Sequence, residues 1–168
     1  LGSFSAREAS AKRSGALLIQ IQNEYYLSPT SLENRLSQAQ IYVGLGYRLK
    51  PSLMLAIGFE SDLNTSNLDP IERGFSSELR YTHAPHRAIS PQLYAGALYI
   101  FETEVADSSD TQAFGLRAGG GVRVDLFQST GADGFFFNFT PGVRTMFFKE
   151  IGTVISIEWL RAGVEYAF

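Results

Sequence analysis

Between about Ser37 and Leu49 every second residue is apolar: Ala39, Ile41, Val43, Leu45, Tyr47 and Leu49. The residues between them are Gln38, Gln40, Tyr42, Gly44, Gly46 and Arg48. A period of two places the two sets on opposite faces of a β-strand. The same alternation predicts seven further strands, at about 15–26, 52–63, 74–83, 91–102, 112–127, 135–147 and 154–168. Leu18 interrupts the first pattern, and the second face of the fifth strand, with Tyr94, Leu98 and Ile100, is the least polar. Pro141 falls on the apolar face of the seventh strand and predicts a bulge or bend there. Lys50-Pro51 predicts a tight turn, and longer polar connections follow the first, third and fifth strands. No period of 3.6 runs far enough to predict a helix.

The final strand carries a more specific pattern. Leu160, Ala162, Val164, Tyr166 and Phe168 alternate with Arg161, Gly163, Glu165 and Ala167, and the sequence ends on the aromatic. This stretch resembles the closing strand of bacterial outer-membrane β-barrels. The resemblance implies that these five alternate residues are also the signal read by the outer-membrane assembly machinery. With seven preceding strands of like pattern, the chain after residue 14 resembles the small eight-stranded barrels of the OmpA/OmpX type in architecture. The implied fold is all-β, an eight-stranded antiparallel up-and-down transmembrane barrel over 15–168. Even parity puts both ends of that barrel on one side, which the resemblance makes the periplasm. Residues 1–14 (LGSFSAREASAKRS) are polar and lack an apolar signal core, so they are expected to form a periplasmic segment of a mature, exported chain.

Composition narrows the alternatives. At 168 residues the chain has the size of one domain. A net charge of −3 gives no basic field for nucleic acid. There is no cysteine, hence no disulfide or thiolate chemistry. No apolar run approaches the ~20 residues of a membrane helix, a test that alternating barrel strands pass unseen. About eleven residues at ~3.3 Å, tilted ~40°, cover roughly 28 Å, close to the ~25 Å apolar band of such barrels.

A soluble barrel and a membrane barrel differ in which face points inward. The apolar faces here end in aromatics: Tyr25, Tyr47, Phe75, Tyr81, Tyr99, Phe101, Phe135, Phe147, Tyr166 and Phe168. Such rings at both ends of an apolar band suit two water–lipid interfaces. The other face is rich in glycine and in charges that nearly balance. Glu24, Glu60, Asp62, Glu78, Glu102, Asp125 and Glu165 stand against Arg48, Arg80, Arg117, Arg123, Arg144 and Arg161, with no lysine among them. A planar, multi-donor guanidinium suits a buried network, and small residues make room for it in a narrow lumen. These thirteen residues are therefore expected to form a luminal charge network, and the ten aromatics a girdle.

Catalytic chemistry finds little support. His83 and His86 lie near the predicted periplasmic end, away from where the enzymatic barrels carry theirs. Asp62, Asn64 and Asp69, and the pair Asp107 and Asp110, lack the spacing of a calcium loop. Gly119-Gly120-Gly121 has no strand–loop–helix context for phosphate and predicts close packing in the wall. The expected protein is non-enzymatic, without metal or cofactor, monomeric, and set in the lipid and lipopolysaccharide of a Gram-negative outer membrane. Its role would be structural or surface-interactive. A narrow, porin-like pore or transporter for ions or small apolar solutes, opening beside Pro141, is the first alternative; a soluble ligand-binding barrel is the second. Deleting Phe168 is expected to reduce insertion into the outer membrane more than it changes the folded barrel; wild-type insertion of that variant, measured by surface labelling of cells, would remove the sorting role.

Overall fold

The computed structural model describes residues 15–27, 39–63, 72–103, 112–127, 134–149 and 152–168. They form β1 (Gly15–Leu27), β2 (Gln40–Lys50), β3 (Leu53–Asp62), β4 (Glu72–Thr82), β5 (Ile89–Thr103), β6 (Ala113–Asp125), β7 (Gly134–Phe139), β8 (Gly142–Phe148) and β9 (Gly152–Ala167). Each pairs antiparallel with its sequence neighbours, except that β7 and β8 both lie between β6 and β9. Those two are halves of one stave, broken at Thr140-Pro141 because proline lacks the N–H that a ladder requires. Pairing of β1 with β9 closes the sheet, so the barrel has eight staves. Residues 1–14 and the connections that hold Asp69, Asp107 and Asp110 lie outside the described residues.

The two faces are distributed inside-out relative to a soluble barrel. Leu45, Ile57, Leu93 and Val143 are exposed on the outer wall, with Leu45 at 66%. Gln20, Glu78, Arg117 and Arg161 are buried inside. Water would penalise the first group and favour exposure of the second; hydrocarbon around the wall reverses both preferences. The pattern is that of a transmembrane barrel, and it removes the soluble ligand-binding barrel. Leu18 fits this arrangement, since it faces inward and packs with Ala16, Tyr42, Met54, Ala56, Phe136 and Ala167. Tyr94, Leu98 and Ile100 are also buried inward, as the weak polarity of their face suggests.

The expected disturbance at Pro141 lies in part elsewhere. Phe139 pairs with Val122 and Gly142 with Gly119, so β6 runs past the break without a change of register. The extra residue is Trp159 in β9. On one side Asn23 pairs with Leu160 and Glu24 with Glu158; on the other, Phe139 pairs with Ala162 and Gly142 with Glu158. A bulge of one residue reverses the alternation of everything beyond it. Val154, Ser156 and Glu158 therefore face inward on one side of Trp159, and Arg161, Glu165 and Ala167 on the other. A second bulge, at Phe101, lies between the pairs Arg73–Glu102 and Gly74–Ile100.

The wall beside Pro141 is tight. A Cβ on Gly121 would lie 1.8 Å from the Phe139 carbonyl oxygen, and one on Gly119 would lie 2.3 Å from that of Pro141. Gly120 N donates to the same Pro141 oxygen at 3.1 Å. The triple glycine thus brings backbone against backbone, and no lateral opening occurs there. Deleting Trp159 is expected to turn Glu158 toward lipid and abolish the heat-modifiable folded band on a gel, whereas Trp159→Leu keeps it; a folded deletion variant would show that the bulge does not set the phase.

Candidate functional site

Among the described residues, the buried charged groups lie inside the barrel. The barrel has a turn end, with residues 51–52 and 83–88 and Phe168, and a loop end, with residues 62–63, 72, 103 and 112. Among the described residues, six arginines (48, 80, 117, 123, 144, 161) and six glutamates (24, 60, 72, 78, 158, 165) are buried. Every one of them comes from an inward position of a strand, so the closed wall brings residues distant in sequence within bonding range.

Toward the loop end, Arg144 Nη1 donates to Glu24 Oε1 at 2.7 Å and Nη2 to Glu72 Oε1. Ser156 Oγ donates to the other Glu24 oxygen at 2.8 Å. Gln22 Nε2 bridges Gln40 Oε1 (2.7 Å) and Glu60 Oε2 (3.1 Å). In the middle, Arg117 joins Glu60 at 2.5 Å, Glu78 at 3.3 Å and Glu158 at 3.6 Å. Glu78 also accepts from Arg161 Nη2 on Oε1 and from Arg80 Nε on Oε2, the latter at 2.9 Å. Tyr94 OH donates to Glu158 Oε2 at 2.6 Å, and its ring lies 4.5 Å from the Arg161 guanidinium carbon. Toward the turn end, Arg48 and Arg123 share Glu165 Oε1 at 2.7 and 2.8 Å. Arg123 also stacks on Phe136, 3.2 Å from the ring centroid.

Apolar groups cluster in the interior beside these charges. Leu98, Ile100, Ala113, Met146, Phe148 and Val154 cluster toward the loop end. The cluster of Ala16, Met54, Phe136 and Ala167 lies toward the turn end. Low dielectric strengthens each ion pair but makes an unpaired charge costly, which is why one carboxylate here serves up to three guanidinium groups.

Most expected luminal residues are brought together; some are not. Glu24, Arg48, Glu60, Glu78, Arg80, Arg117, Arg123, Arg144, Arg161 and Glu165 meet in this interior. Asp62 and Asp125 are half-buried at opposite rims, and Asp125 Oδ1 accepts from Phe127 N at 3.1 Å. Glu102 does not belong: it is 49% exposed on the outer wall and pairs with Arg73 at 3.0 Å. The bulge at Phe101 turns it outward, and Ile100 fills the inward position. Glu72 and Glu158 were not expected inside. Glu72 belongs to β4, which begins two residues before the predicted Gly74. Glu158 was hidden by counting in twos across Trp159, a step that only the bulge reveals.

The aromatics divide by end. Tyr25, Phe75, Tyr99, Phe101 and Phe147 lie toward the loops; Tyr47, Tyr81, Phe135, Tyr166 and Phe168 lie toward the turns. Phe59 joins the first group, 5.7 Å from Phe75, while Phe101 lies 5.4 Å from Phe75. In the second, Phe135 lies 4.6 Å from Tyr166, Tyr166 lies 5.9 Å from Phe168, and Phe127 lies 5.8 Å from Phe135. Leu160, Ala162, Val164, Tyr166 and Phe168 share the outer wall of β9 and its end. His83 and His86 are both exposed at the turn end. Among the described residues, no three His, Asp or Glu side chains gather as metal ligands.

No protein-family model matches the chain, and no curated protein does. Solved structures do match. The crystal structure of neisserial surface protein A (NspA) aligns with a TM-score of 0.67 at 17% identity, over 92% of this chain and 97% of that one. The N-terminal β-barrel domain of Pseudomonas aeruginosa OprF aligns with a TM-score of 0.58 at 16% identity, over 93% of this chain and 98% of that one. At such identities the likeness is one of fold, and the fold of this chain is that of the eight-stranded outer-membrane β-barrels.

Proposed function

We propose that this chain is a non-enzymatic protein of the bacterial outer membrane whose barrel is closed to ions and serves as a rigid, lipid-embedded scaffold for its loops. The observation that carries the reading is the chain of contacts across the interior from Arg144 to Glu24, from Arg117 to Glu60 and Glu78, from Glu78 to Arg161 and Arg80, and from Arg48 and Arg123 to Glu165. An ion crossing this space would have to separate pairs held where water cannot replace the lost partner. The apolar clusters beside the charges oppose hydration further.

The same reading puts the turn end in the periplasm and the loop end at the cell surface, beside lipopolysaccharide. It takes the barrel as a monomer and the outer wall of β9 as what the assembly machinery reads. A lateral opening beside Pro141 has no comparable support, since the glycines of β6 bring backbone against backbone there.

Three outcomes are expected. Reconstituted in a planar bilayer, the barrel gives no discrete conductance steps; reproducible single-channel steps would overturn the closed-lumen reading. Arg161→Gln leaves Glu78 and Glu158 short of a buried cation and is expected to destabilise the barrel by about 3–5 kcal/mol in urea unfolding from detergent. Glu102→Gln removes only an exposed pair and is expected to cost less than about 1 kcal/mol by the same measurement.

A further inference from the structure

The two ends of the outer wall carry charge differently. Toward the loops, Arg73 and Glu102 answer each other at 3.0 Å. At the turn end, the β2–β3 and β4–β5 connections bring Lys50, His83, His86 and Arg87 to one side of the rim, all exposed. The two connections are neighbours because Thr82 N donates to Ser52 O at 2.8 Å and Leu53, the partner of Lys50, lies across from Tyr81. Neither 50–52 nor 83–88 contains a carboxylate side chain. Among the described residues, none of the four forms an ion pair. Asp125 at this rim is half-buried, and its Oδ1 accepts from Phe127 N at 3.1 Å. The other side of the rim is aromatic, with Phe127, Phe135, Tyr166 and Phe168.

Depth and shape bear on what these groups can meet. His83 continues the outward series of Leu79 and Tyr81 by one step, and Lys50 follows the exposed Tyr47 and Leu49. The polar heads therefore stand just beyond the aromatic ring of this end, where lipid phosphates border an apolar band. The β4–β5 turn is also held in one shape. Ala84 lies in the left-handed region at φ 48°, and Arg87 N donates to Ala84 O at 3.0 Å. The buried Ser90 donates its Oγ to Ala84 O at 2.9 Å and to Arg87 O at 3.3 Å. His86 and Arg87 are thus presented by bonds that do not use their side chains.

Ammonium, guanidinium and imidazole N–H groups all donate to phosphate oxygens, and basic residues at a membrane surface favour anionic lipid. We propose that the rim formed by Lys50, His83, His86 and Arg87 holds the phosphate of an anionic phospholipid in the surrounding leaflet. A zwitterionic headgroup brings its own cation, which Lys50 and Arg87 repel, so the rim selects lipids that carry net negative charge. The inference needs only the lipid-embedded wall and does not depend on whether the lumen conducts.

The test uses the full barrel refolded in non-ionic detergent and titrated with phosphatidylglycerol or with phosphatidylcholine of the same acyl chains. Bound lipid is counted by native mass spectrometry. Phosphatidylglycerol is expected to show a dissociation constant lower by on the order of tenfold, and the double variant Lys50→Gln with Arg87→Gln to bring the two lipids within about twofold. Lys50→Arg is expected to keep the preference, and so is Lys149→Gln, which removes an exposed cation at the other end. The heat-modifiable band on a gel shows that each variant is folded. Equal retention of the two lipids by the wild type, a preference unchanged in the double variant, or the same loss in Lys149→Gln would overturn the proposal. So would displacement of phosphatidylglycerol by an equal concentration of inorganic phosphate, since the rim would then read free phosphate and not a lipid.

Discussion

A charge buried inside this barrel needs a buried partner, and apart from Arg80 and Glu78 on β4 the partners come from different staves. That constraint accounts for much of the rest. Arg144 on β8 reaches Glu24 on β1 and Glu72 on β4; Arg117 on β6 reaches Glu60, Glu78 and Glu158. Such contacts exist only when the sheet is closed and in register, because a slip of one residue exchanges the inner and outer sets. The network therefore couples strand order, register and closure. Arginine fits this role better than lysine, since one planar head binds several carboxylates at once.

The wall is fitted to its contents. Tyr42 lies over Gly44 and Gly58, where a Cβ would come within 2.2 Å of the Tyr42 ring or hydroxyl. Gly142 makes the same room for the Tyr94 hydroxyl. Glycine that would weaken an exposed strand here admits a large side chain to the interior. The outer wall answers to a different demand, with aliphatic side chains across the middle and aromatic rings toward both ends, as the two boundaries of a lipid layer select.

Much of this was legible because β-strand alternation is strict. The strands, the closure implied by Leu160 to Phe168, the identity of the outer face and most of the inward charges follow from a period of two. Bulges broke that legibility. Nothing in the residues themselves marks Trp159 or Phe101 as the extra member of its strand, since each is an aromatic that suits the outer wall. A strict period of two passes over Glu158, which lies inside, and points Glu102 inward, although it lies outside. Glu72 was missed for another reason, because Glu72-Arg73 reads as the end of a polar loop until Thr103 and Glu102 are seen across from it. Which arginine meets which glutamate depends on distances across the lumen, and these have no signature along the chain.

The phase of β9 connects the inside-out wall to the charge network, and it can be measured directly. The chain has no cysteine, so single cysteines from 153 to 167 can each carry a nitroxide in the bilayer-reconstituted barrel. Accessibility to oxygen, which partitions into lipid, is expected to peak at 153, 155 and 157, reach the bulge at 159, and resume at 160, 162, 164 and 166. An unbroken alternation through 159, or maxima at 158 and 161, would contradict the account.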